Sequence, residues 1–104
     1  MEIKRKPTHP GEILLEDFLK PLNLSQMALA KALGTTFRTI NEIVNERRNV
    51  SPEMAVKLAR FFGTSEDVWM NLQNHLDVYR VKTGKRRSLV RIKPYRPTHA
   101  NKAN

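Results

Sequence analysis

The sequence predicts a single all-α domain with a basic tail, and three observations lead there. Apolar residues recur at three- and four-residue spacing and do not alternate. Ser, Thr and Pro stand where these runs begin and Gly where they end. The 104 residues, 39% hydrophobic and 28% charged, suffice for one compact core and not for two. Five helices are expected in residues 10–80, behind an arm of residues 1–9 and ahead of a partly disordered tail of residues 81–104.

Leu14 and Phe18, with Leu15 and Leu19, place one apolar side on a helix that begins at Pro10 and ends near residue 20, before Pro21. Ser25 is a good N-cap for a short second helix, in which Met27, Leu29, Ala30 and Leu33 precede the stop at Gly34. Thr35 or Thr36 caps a third helix with a stripe of Ile40, Ile43 and Val44, running to about Asn45. After a polar, basic turn from Glu46 to Val50, Ser51, Pro52 and Glu53 together mark a helix start, and Met54, Ala55, Leu58, Ala59 and Phe62 carry that helix to Gly63. Thr64 and Asp67 have the spacing of a capping box, and Val68, Trp69, Leu72, Leu76 and Tyr79 extend a fifth helix to about Arg80. Beyond Gly84 the pattern changes: Leu89, Val90 and Ile92 suit one short strand, and residues 97–104 suit disorder.

The net charge of +9 is unevenly spread: residues 1–80 hold 11 Lys and Arg against 10 Asp and Glu (+1), and residues 81–104 hold 8 against none (+8). Such a run contacts nucleic acid or an acidic partner, or simply solubilises the chain end. With no Cys there is no disulfide framework, thiolate nucleophile or Cys-based zinc site. No stretch reads as a secretory leader or a membrane span, so a cytoplasmic protein is expected. His9, His75 and His99 have no spacing that makes a metal site or pairs a base with a nucleophile, and four Gly leave no phosphate-cradling loop. No enzyme, cofactor or metal is expected.

The informative segment is residues 26–45, QMALAKALGTTFRTINEIVN. Its small and apolar positions are those of two helices joined steeply by a tight turn: Gly34 turns, Ala30 permits close crossing, and Leu29, Leu33, Ile40 and Ile43 share a core. The same periodicity turns Phe37, Arg38, Asn41 and Glu42 outward. This segment resembles the Cro/C1-type (lambda repressor-like) helix-turn-helix. With Pro-Gly-Glu-Ile-Leu near the start, Ser-Pro-Glu-Met-Ala and Trp-Met-Asn-Leu-Gln, residues 5–80 resemble the HigA (VapI-like) antitoxins.

The resemblance implies a homodimer that sets its third helix in the major groove of its own operator and binds a HigB-like toxin, an mRNA-cleaving nuclease of RelE-like fold. It implies base contacts from Phe37, Arg38, Thr39, Asn41 and Glu42, and phosphate contacts from Ser25, Gln26, Thr36, Arg47 and Arg48. Arg38 suits a guanine edge, Glu42 a cytosine amino group, and Phe37 or the Thr39 methyl a thymine methyl; Glu42 alternatively pairs with Arg38 and sets its rotamer. Glu46 occupies a position where the family favours Gly, so the loop geometry there is open. Trp69, Leu72 and Leu76 serve as core or as a dimer seam. The alternative to an antitoxin is a free-standing or phage-like repressor without a toxin.

Overall fold

The computed structural model describes residues 5–97, and among these all regular secondary structure is helical. Residues 10–22 form one rod, α1, in three windings: α-helical at Pro10–Ile13, π-helical at Leu14–Leu19 and α-helical again at Lys20–Leu22. The rod passes through Pro21, where the sequence predicted a stop. Proline removes one ladder donor and crowds the carbonyl four residues back, and the wider pairing upstream, with Lys20 N–H on the Leu15 carbonyl, accommodates it. Asn23 then ends the rod in the left-handed conformation (φ 53°).

Gln26–Leu33 is α2, with Ser25 Oγ accepting from the Ala28 N–H at 3.0 Å. Phe37–Val44 is α3, with Thr36 Oγ1 accepting from the Thr39 N–H at 3.1 Å. Between them Gly34 takes φ 70°, so the Thr35 N–H reaches the Ala30 carbonyl (2.9 Å) and the chain turns sharply. Pro52–Phe62 is α4, capped by Ser51 and ended by Gly63, as expected from the sequence.

Glu66–Gly84 is α5, starting later and ending later than expected. The capping box does not form. The Thr64 hydroxyl instead accepts from Trp69 Nε1 at 2.9 Å and donates to the Ser65 carbonyl, so the indole N–H, buried and in need of an acceptor, takes the oxygen a cap would use. The strand expected around Leu89, Val90 and Ile92 is instead a sixth helix, α6, Arg86–Val90, because Leu89 folds back beside Val78 and Val81 of α5. Of the tail expected to be disordered, residues 98–104 lie outside the described residues.

The core gathers Leu14, Leu19, Leu29, Ile40, Ile43, Leu58 and Trp69 from all five main helices. Phe18, Phe62 and Trp69 stack beside it, with Phe18 ring centroids 4.6 Å from Phe62 and 5.2 Å from Trp69. Trp69 and Leu76 are 0% exposed, so the proposed dimer seam fails for these two: their side chains are consumed by the domain's own core, and only Leu72 retains surface. No described helix is long and apolar enough to cross a membrane.

Candidate nucleic-acid interface

The core fixes α3 by one face. Ile40, Ile43 and Val44 are buried, which turns Phe37 (44% exposed) and Arg38 (side chain 84% exposed) outward from its first turn. The capping Thr36 hydroxyl also lies 2.9 Å from that of Thr39, leaving the Phe37 and Arg38 N–H groups without intrahelical partners, as at any helix start. Ser25 leaves the Gln26 and Met27 N–H groups in the same position at the start of α2.

Two polar clusters order this surface. Glu42 lies between two arginines: Arg38 Nε donates to one carboxylate oxygen at 3.0 Å, and Arg48 donates to the other through Nε at 2.8 Å and a terminal nitrogen at 2.7 Å. These hydrogen bonds, Arg38's first and Arg48's second, hold the Glu42 carboxyl below its usual range. Of the two sequence readings of Glu42, this is the rotamer-setting one, extended to a second arginine. Asn41 is turned inward: its Nδ2 donates to Gln26 Oε1 at 3.0 Å, and its Oδ1 accepts from Asn45 at 3.1 Å. It registers α2 against α3, with its second amide hydrogen and second oxygen lone pair still open, and the Gln26 amino group also stays available.

The loop after α3 carries Arg47 and Arg48, both exposed. Glu46 adopts φ 62°, the left-handed conformation that a Gly would take there, and closes the helix end with two hydrogen bonds: its own N–H to the Ile43 carbonyl (3.0 Å) and the Arg47 N–H to the Glu42 carbonyl (2.7 Å). The departure from the family pattern thus changes the residue and not the turn. Two contacts then hold the loop to α5: the Val50 N–H donates to buried Gln73 Oε1 (2.7 Å), and Arg80 donates to Asn49 Oδ1 (3.0 Å).

Sequence reasoning missed three supports of this surface. A Cβ at Gly11 would lie 1.8 Å from the Ile43 carbonyl oxygen, so only glycine lets the first turn of α1 seat against the end of α3. His9, read as part of an arm, is buried and N-caps α1: its Nδ1 accepts from the Gly11 N–H at 2.8 Å. The imidazole proton therefore sits on Nε2, which has no partner among the described residues. Burial pulls the His9 pKa below its ordinary value, with Arg80 and Lys6 acting the same way and Glu46 and Asp77 opposing. Gln73 is the third. Pro10 signalled a helix start, but nothing in spacing alone says which helix that start touches. Among the described residues no three His, Asp or Glu are grouped to hold a metal.

Two capped short helices at a tight turn, the second presenting an outward arginine and flanked by a basic loop, define a DNA-reading helix-turn-helix. The helix-turn-helix family model matches residues 15–69. An uncharacterised helix-turn-helix transcriptional regulator of Haemophilus influenzae is 45% identical over 86% of each chain. Antitoxin HigA-1 of Vibrio cholerae is 31% identical over 88% of this chain and 86% of its own. The solved Pseudomonas aeruginosa antitoxin HigA with the higBA promoter superposes with a TM-score of 0.81 at 40% identity, covering 85% of this chain and 97% of that one. The chain belongs to the helix-turn-helix family that includes the HigA antitoxins, a family of regulators and not of enzymes.

Proposed function

We propose that the chain is a cytoplasmic antitoxin and autorepressor, a homodimer that reads its own operator and neutralises a HigB-like toxin of RelE-like fold. The single observation that carries the DNA half is the surface of α3: a 0%-exposed inner face of Ile40 and Ile43 sets Arg38 outward beside two helix N-termini and a basic loop. The Pseudomonas relative solved with the higBA promoter supports the same reading.

In this reading α3 enters the major groove. Arg38 keeps its Nε on Glu42 and donates a fork of hydrogen bonds from its terminal nitrogens to a guanine, a contact of about 1–3 kcal/mol. Phe37 and the Thr39 methyl pack on thymine methyls. The free N–H groups and side chains of Ser25, Gln26 and Thr36 meet phosphates of one strand, and Arg47 and Arg48 meet the other side of the groove. Glu42 acts by holding the two arginines in register, and Asn41 by fixing the helix pair. With Trp69 and Leu76 buried, the apolar side chains that α5 offers a second copy include Leu72 and the exposed Val68, Val78 and Val81.

Arg38→Ala tests the assignment. Against a duplex taken from upstream of the gene it should lose about 1–3 kcal/mol of affinity and against random duplex very little. Equal losses on both would make Arg38 a phosphate contact and remove the base-reading role.

A further inference from the structure

Residues 82–96 carry seven cations and no acid, and in residues 5–97 the last acid is Asp77. All seven cations are exposed, and none joins an ion pair among the described residues. We propose that residues 82–96 are a second DNA-binding element, which lies along the phosphate backbone outside the base pairs read by α3. The inference rests on the operator reading above and adds to it a surface beyond the helix-turn-helix.

Position selects the partner. The Arg80 to Asn49 hydrogen bond ties α5 to the loop that bears Arg47 and Arg48, so α5 leaves the domain from beside the phosphate-facing edge. The basic segment continues from there: Gly84 is four residues, about 6 Å of helix, beyond Arg80. Leu89 shares an apolar groove with Val78 and Val81, which anchors α6 and leaves Arg86 and Arg87 in solvent. Residues 91–97 have no regular structure and can reach at most roughly 23 Å, the rise of about seven nucleotides along one strand. Single-stranded RNA is a poorer fit, because Tyr95 is the sole aromatic residue in this stretch and stacking needs a platform. A bilayer is poorer still, because α6 has five residues, too few for the long apolar face of a membrane-surface helix, and its Leu89 is already turned onto α5.

The test is a full-length variant, Arg86→Gln/Arg87→Gln/Arg91→Gln/Lys93→Gln, bound at several salt concentrations to a duplex from upstream of the gene and to a scrambled duplex of equal length. Each lost phosphate contact should flatten the slope of log affinity against log salt by about 0.9, so four neutralised cations should flatten it by about 2–4. The preference for the upstream duplex should persist. A charge-reducing control on α4, Lys57→Gln/Arg60→Gln, should move the slope by less than about 0.5. Overturning results are an unchanged slope with operator preference intact, or a control that flattens the slope as much per charge, which would make the effect a diffuse field. An unchanged slope joined to loss of a protein partner would assign the segment to that partner instead. If the parent itself does not prefer the upstream duplex, the operator reading falls and takes this inference with it.

Discussion

Gly11→Ala should be strongly destabilising although alanine is the better helix former by about 1 kcal/mol. The new Cβ would lie 1.8 Å from the Ile43 carbonyl oxygen and 2.7 Å from its carbon. An ordinary carbon to oxygen contact is about 3.3 Å, so the two helices must part by about 1.5 Å. The Ile43 carbonyl cannot turn aside, because it accepts from the Glu46 N–H that closes α3. Parting by that distance forfeits more than half of the dispersion energy across the seam and loosens Leu14 and Ile43, both fully buried. We expect a loss of about 3 kcal/mol after the propensity gain, at the upper end for overpacking, and a Tm lower by about 12–24 °C. Circular dichroism at 222 nm during heating and urea titration reads both quantities. Gly84→Ala, at a helical glycine with open space around it, serves as control and should be neutral or slightly stabilising. A Gly11→Ala protein as stable as the parent would refute the close approach of α1 to α3.

Glu46→Gly should stabilise by about 0.5–1 kcal/mol, since glycine adopts φ 62° without a Cβ penalty; urea midpoints at constant m would show it, and a loss would mean that the side chain contributes more than its backbone strain costs. Glu42→Gln releases Arg38 and Arg48 and removes a negative charge from the DNA-facing side, so affinity for random duplex should rise and operator discrimination fall by about tenfold; unchanged discrimination would remove its positioning role. Burial lowers the His9 pKa in the fold, so as pH falls from about 6.5 the unfolded chain takes up the proton before the folded one does. Stability is unaffected by His9 above that pH and is lost progressively as pH falls from there toward the lower folded value. His9→Asn keeps a capping oxygen and should shrink the loss in Tm between pH 7.5 and 5.5; an identical loss in both proteins would place the acid sensitivity elsewhere.

Helix boundaries set by local chemistry were legible in the sequence: Ser25 and Ser51 cap, and Gly34 and Gly63 stop, because each acts within four residues of itself, and of the two caps open for α3 Thr36 takes the place. Phe37 and Arg38 were legible as outward for the same reason, since Ile40 and Ile43 fix the opposite face, whereas Asn41, also expected outward, is half-buried against Gln26. What failed depended on contacts distant in sequence. Thr64 was available for a capping box until Trp69 needed its oxygen. Leu89 read as strand until α5, extended past Arg80, offered Val78 and Val81 to cover it. Pro21 read as a stop because a π-helical turn upstream leaves no mark in residue spacing. Within the site, Asn41 and Gln26 are 15 positions apart and Val50 and Gln73 are 23 apart, so no periodicity could pair them.

The antitoxin role is tested most directly by coexpressing the tagged chain with the product of the adjacent open reading frame. The account predicts that the neighbour elutes with the chain in fixed stoichiometry and arrests growth when expressed alone. A neighbour that neither binds nor harms growth would contradict it and leave a dimeric operator-binding repressor without a toxin.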